Sequence, residues 1–383
     1  MPRRIAVFIG TRPEAIKMAP VVAALRGSRA LQPVVVNAGQ HREMIHQVID
    51  LFGIAVDAEL DVMEPNQSLA GLTSRLVDRC DRALAELAPD MTLVQGDTTT
   101  VLCAALASFY RGIPVGHVEA GLRTGDLAAP FPEEANRRLV SPLADLHFAP
   151  TETARQALLR EQIPEDRILV TGNTVIDALL LEVRRQQQDA VRATLRRELA
   201  ETAGADLFDR PLILVTGHRR ENFGQGFEQI CQALGELARR RPETTIVYPV
   251  HLNPRVKDVV HARLASRPNI RLIPPQSYAH FVALAAASRL ILTDSGGVQE
   301  EAPTLGKPVL VMRETTERPE GVAAGAVRLV GPHAERIVDE TLRLLDDADL
   351  YQRMSQAGNP YGDGRAAERI VARIEQRLAA GAG

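Results

Sequence analysis

Ten short apolar runs, separated by stretches of helical pattern, constrain this chain more than any other feature. Ile5–Ile9, Pro33–Asn37, Met91–Val94, Val115–Val118 and Leu146–Ala149 read as strands of one sheet. Leu212–Thr216, Thr245–Pro249, Ile270–Ile273, Leu290–Thr293 and Val309–Val311 read as strands of a second. Helical stretches such as Ser68–Glu86, Thr99–Tyr110 and Phe227–Arg240 lie between them, which predicts α/β architecture with parallel sheets. At 383 residues the chain has material for two domains of ordinary size. We place the first at 1–171 plus 366–383 and the second at 172–365. The last helix, Arg365–Ala380, is expected to cross back onto the first domain. Leu179–Glu201, rich in Arg, Gln, Glu and Leu, reads as a solvated surface helix near the junction.

Composition excludes several classes of partner. A net charge of −3 gives no bulk attraction to nucleic acid or an anionic membrane. Aromatics are 4% and Trp is absent, so a base-stacking platform is not expected. Cys80, Cys103 and Cys231 are widely spaced and odd in number, which suits a reduced cytoplasm. The five apolar residues Ile5–Ile9 are too few for a signal-peptide core, and no run approaches a membrane span. The expectation is a soluble cytoplasmic protein. No His, Cys or Asp grouping has metal-ligand spacing, and no nucleophile elbow occurs.

The most pointed local signal is Leu290-Ile-Leu-Thr293 running into Asp294-Ser295-Gly296-Gly297 and then a helical pattern. Such a turn leaves backbone N–H groups at the positive end of a helix dipole, and the glycines let a phosphate approach. It also fits an ordinary tight turn. After the first strand, Gly10-Thr11-Arg12-Pro13-Glu14 puts Arg12 and Lys17 near a helix start, where they oppose the dipole unless they share an anion. A faint echo sets Gly10 on Gly217, as if two similar halves each began this way.

Three carboxylates form a second group. Asp97 and Glu119 end strands and Glu133 opens a helix; together at one sheet edge they would supply a general acid beside a general base. Asp97 equally fits a helix cap, and Glu133 a helix N-terminus. Glu119, between a buried strand and Gly121, has the weakest structural excuse. His218, flanked by Arg219, and His251 sit at strand ends of the second domain, where a histidine can contact phosphate or move protons.

Taken together, Gly10–Pro20, Gln95–Thr100, Gly116–Asp126, Phe131–Arg138, Thr216–Gly224, Val247–Pro254 and Leu292–Pro303 resemble the non-hydrolysing bacterial UDP-N-acetylglucosamine 2-epimerases. Gln40–Met44, Val170–Val175 and Arg313–Gly321 extend the likeness over nearly the whole chain. The resemblance implies a GT-B fold, two Rossmann-like domains facing a central cleft, and a homodimer. It implies interconversion of UDP-GlcNAc and UDP-ManNAc by elimination of UDP to 2-acetamidoglucal and re-addition, in supply of envelope polysaccharide. No cofactor or metal is needed for that route. Carried over residue by residue, Asp97, Glu119, Glu133 and His218 are the catalytic set. Arg12, Lys17, Gln276, Phe281, Ser295, Gly296, Gly297, Glu301 and Arg318 bind the UDP-sugar. Of these, Arg12, His218, Ser295, Gly296 and Arg318 stabilise the departing diphosphate.

Gln40, Glu43, Arg219 and His251, with Glu133, match an activating second UDP-GlcNAc site, but Asn66 stands where a basic residue is usual, so weak or absent activation is expected. The rival readings are a 2-epimerase of a UDP-diacetamido uronic acid and a GT-B glycosyltransferase, against which the three carboxylates argue.

Overall fold

The computed structural model describes residues 1–39, 42–64 and 66–380, and for 42–44 the backbone alone. All ten predicted runs form strands, and three more strands join them. In chain order these are β1 (Arg3–Ile9), β2 (Leu31–Asn37), β3 (Ala58–Glu59), β4 (Met91–Gln95), β5 (Val115–Val118), β6 (Leu146–Ala149), β7 (Ile168–Val170), β8 (Leu212–Thr216), β9 (Thr245–Pro249), β10 (Ile270–Ile273), β11 (Leu290–Thr293), β12 (Val309–Val311) and β13 (Val327–Leu329). One sheet runs β3-β2-β1-β4-β5-β6-β7 and the other β10-β9-β8-β11-β12-β13. Every pairing is parallel.

Two compact units result: Met1–Ala178 with Tyr361–Gly383, and Leu179–Pro360. In the second, successive strand residues go to opposite faces. Ile213, Val215, Leu290 and Leu292 join the core under helices Gln225–Arg240 and Ala334–Asp346. Leu212, Leu214 and Ile291 join the core under Tyr278–Ala287. Both faces are covered, which is why these strands read as continuous apolar runs. In the first unit, helices Leu69–Leu87 and Thr99–Tyr110 cover one face, packing on Ala6, Phe8 and Val94. Helix Ala366–Ala380 packs against helix Arg12–Gly27, where Ser28 Oγ donates to Glu375.

The segment read as one solvated helix, Leu179–Glu201, is instead two helices, Thr174–Gln186 and Asp189–Ala203. Nor is it only solvated, since Leu199 enters a core of the second unit.

Each sheet has one place where the strand order reverses. In the first it lies between β1 and β4, in the second between β8 and β11. Loops leaving the C-terminal ends of such strands diverge and leave a crevice for a ligand. Thus β1 and β8, which begin the two halves of the sequence echo, occupy the same place in their sheets.

Candidate active site

In the first unit the loops after β1, β4 and β5 gather at the reversal. Glu119 follows β5 with φ of 63°, a left-handed conformation that costs a residue with a side chain about 1 kcal/mol. The surroundings hold it there. Lys17 Nζ donates to both carboxylate oxygens, at 2.7 and 2.6 Å, Asn173 Nδ2 donates at 3.1 Å, and Gln95 Nε2 donates to Oε2. Two residues on, Gly121 has φ of 91°, and a Cβ there would meet the Ala154 carbonyl oxygen at 2.3 Å, so only glycine fits. Of the two cations expected to share an anion, Lys17 already has a partner within the chain. Its ammonium is taken by the nearly buried Glu119, whose charge would otherwise be uncompensated.

Asp97 is gripped by main chain and side chain. Its carbonyl accepts from Asn136 Nδ2 at 2.8 Å, and its carboxylate pairs with Arg137 at 2.9 and 2.6 Å. His117 Nε2 donates to the preceding Gly96 carbonyl at 2.7 Å; burial pushes the pKa of this imidazole down to about 4 and keeps it neutral. Asp97 is not the helix cap. Thr98 fills that role, its hydroxyl accepting from Val101 N. Glu133 is half-buried at the first position of helix Glu133–Val140, where a carboxylate suits the dipole. Its neighbour Glu134 is the fully buried one, accepting from Thr124 N, Gly125 N and Arg137 Nη1. Arg137 therefore links Glu134 to Asp97. The sequence reading assigned no role to Glu134, Arg137 or Glu14, although all three lie in the motifs it quoted. Glu14 is buried, accepts the N–H groups of Gly10 and Thr11 and the Thr98 hydroxyl, and burial raises its pKa to about 7.

In the second unit the loops after β8 and β11 meet at fully buried Asp294. Its carboxylate accepts from His218 N at 2.9 Å, Arg219 N at 2.9 Å and Asn222 Nδ2 at 3.2 Å. It also lies 3.6 Å from His218 Nδ1, too long for a hydrogen bond. The His218 ring stacks on His251, with centroids 5.7 Å apart. Packing around the ring lowers the His218 pKa, opposed by Asp294 and helped by Arg219 and His251.

Ser295 caps helix Gly296–Glu301, and neither glycine has a left-handed backbone. A Cβ on Gly296 would find nothing nearer than Arg219 Nη2 at 3.7 Å, and one on Gly297 only Ser295 Oγ at 4.0 Å. The chain's own conformation does not require these glycines; they leave the helix start open. Arg219, matched to a second site by resemblance, lies against this turn, and its Nε is buried without a hydrogen-bond partner among the described residues. Arg318, assigned to the diphosphate, has its Nε on buried Glu300. Arg313 bridges Glu221 after β8 to Glu317 after β12, which brings the Glu317 pKa down to about 2. Glu301 is buried and accepts from Tyr278 Oη at 2.8 Å, Phe281 packs on the core, and Gln276 Nε2 donates to the Pro274 carbonyl.

A family model described as UDP-N-acetylglucosamine 2-epimerase matches residues 23–375. The Escherichia coli K12 protein of that name is 56% identical over 96% of this chain and 97% of its own length. The chain belongs to the UDP-N-acetylglucosamine 2-epimerase family. Among solved members, the Neisseria meningitidis epimerase bound to UDP-GlcNAc superposes with a TM-score of 0.90 at 46% identity, covering 97% of this chain and all of that one. The Methanocaldococcus jannaschii epimerase in complex with UDP-GlcNAc and UDP gives 0.82 at 32%, covering 97% and 99%. The fold is accordingly the two-unit α/β GT-B type of these epimerases.

Of the residues matched to an activating site, Gln40 lies outside the described residues, as does the side chain of Glu43 on helix Arg42–Phe52. Asn66 has φ of 56°, a conformation asparagine tolerates better than lysine or arginine. Among the described residues, no cluster of three His, Cys, Asp or Glu is placed to hold a metal ion, and no helix is long and apolar enough to cross a membrane.

Proposed function

We propose that the protein inverts C2 of UDP-N-acetylglucosamine reversibly, giving UDP-N-acetylmannosamine, as a cytoplasmic homodimer supplying envelope polysaccharide synthesis. The observation that carries this is the 56% identity to a named epimerase along almost the full length of both chains. The C2 hydrogen is not acidic, so departure of UDP leads: it leaves by elimination to 2-acetamidoglucal, and re-adds after a proton returns to the other face. Stabilising the departing diphosphate is then the main electrostatic task. His218, Ser295, Gly296 and Arg12 serve it, and Arg219 joins them because its guanidinium lies beside Gly296 with an unmet N–H. Arg318 contributes mainly by fixing Glu300 beneath the turn.

The carboxylates of Asp97, Glu119 and Glu133 remove and return the C2 proton. Lys17 acts through Glu119: a carboxylate holding an ammonium on both oxygens stays ionised and in one orientation. Gln276, Phe281 and Glu301 contact uracil and ribose.

Proton NMR of the protein with UDP-GlcNAc in D₂O tests the reading. Growth of UDP-ManNAc signals with deuterium at C2 is expected. An unchanged spectrum would overturn it and move the assignment to a UDP-diacetamido uronic acid.

A further inference from the structure

Glu14 takes no step in the chemistry above, yet it lies between the loops that carry Arg12 and Asp97. Its Oε2 accepts the N–H of Gly10 at 2.6 Å and of Thr11 at 2.9 Å; its Oε1 accepts the Thr98 hydroxyl. Gly10 and Thr11 immediately precede Arg12, and Thr98 immediately follows Asp97. One carboxyl therefore spans the sheet reversal, joining the loop after β1 to the loop after β4.

Helix capping alone does not explain this. In a capping box the glutamate at the third helical position bonds back to the cap N–H, which here is Thr11. The bonds to Gly10 and to Thr98, 84 residues away, serve no helix end of Glu14's own. A glutamine would complete the box without burying a carboxyl beside Asp97, where burial and that neighbour raise its pKa to about 7. What this side chain adds is reach: the two polar atoms of one planar group bond both loops at once.

We propose that Glu14 is a positioning residue that, by bonding both loops at once, fixes the separation of Arg12 and Asp97 required when UDP leaves and the C2 proton moves. This rests on the reading of the chain as a C2 epimerase. Glu14 touches no substrate; it acts through its neighbours, so its loss lowers turnover more than binding.

The test compares wild type, Glu14→Ala, Glu14→Gln and Glu14→Asp for epimerisation rate by NMR, UDP affinity by calorimetry, and melting temperature. Wild type is assayed first, and failure to epimerise UDP-GlcNAc overturns the functional reading itself. Glu14→Ala is expected to lose about thirtyfold or more in kcat, with KM within about threefold and UDP affinity unchanged. Glu14→Gln, which keeps the reach, is expected to regain kcat to within about threefold of wild type. Glu14→Asp keeps a carboxylate too short to reach Thr98, and shows the kcat loss even if Glu14→Ala does not fold. Wild-type kcat per folded molecule in Glu14→Ala or Glu14→Asp, with only the melting temperature lowered, would overturn the proposal. So would a glutamine variant no better than alanine.

Discussion

The two sheet reversals are alike in topology and opposite in how they treat charge. At the first, two of the three proposed carboxylates already hold a cation from their own chain: Glu119 has Lys17 and Asp97 has Arg137. At the second, the buried carboxylate Asp294 faces backbone N–H groups, and the turn above it offers glycine, stacked imidazoles and an incompletely satisfied arginine. A site that must move protons keeps its groups in fixed ionisation states with internal partners. A site that must hold and release an anion leaves donors unsatisfied until the anion arrives. On the proposed reading, most of the proton chemistry falls to the first unit and most of the anion binding to the second, with Arg12 and His218 as the exceptions.

The division breaks most sharply at Glu119. Glu119→Gln is expected to lower kcat by about a thousandfold while leaving UDP affinity intact. A parallel loss of UDP binding, read by calorimetry, would show that the units do not divide the work. The reciprocal change is Gly296→Ala. A Cβ at Gly296 meets nothing nearer than Arg219 Nη2 at 3.7 Å, an ordinary contact, so the melting temperature should hold. The dissociation constant for UDP should rise about tenfold or more, equivalent to about 1.4 kcal/mol. A drop in melting temperature with unchanged affinity would mean that the glycine serves the fold.

Linkage sharpens the comparison from the stability side. Glu14 is raised from 4.5 to about 7, so the folded state binds its proton more tightly than the unfolded state does. Its contribution to stability is fully present below about pH 4.5 and is lost as pH rises through about 7. The loss is on the order of 3 kcal/mol. Urea unfolding of wild type and Glu14→Gln across pH 4.5–8 should show the two diverging, with the glutamine variant relatively more stable at the alkaline end. Parallel curves would mean that Glu14 is ionised at an ordinary pKa.

The smallest effect concerns Asn66. With no cation at that position, initial rates from UDP-ManNAc should rise less than about twofold on adding traces of UDP-GlcNAc. A steep rise would mean that the remaining matched residues suffice.

Most of this architecture was legible in the sequence because central parallel strands are buried on both faces and read as plain apolar runs. β3, β7 and β13 escaped notice because each is two or three residues long at a sheet edge, where half-exposure removes the signal. The break at Gln187–Gln188 carries no Gly or Pro; packing of Leu195 and Leu199 sets the direction of the second helix. Glu119 stood out by the absence of a structural reason for it. Glu14 did the reverse: at the third helical position it looked like an ordinary capping-box residue, and only the tertiary contact to Thr98 gives it another role. The pairing of Arg318 with Glu300 and the unmet Nε of Arg219 were not legible, because sequence shows that an arginine is present but not which carboxylate it meets.

The left-handed backbone at Glu119 has a consequence for descent. Glycine at that position would relieve the local strain but would take the carboxylate away from the mostly buried Lys17 ammonium. A lineage that kept the fold but gave up its chemistry could therefore reach glycine here only together with a change at Lys17, so the two codons are expected to change as a pair.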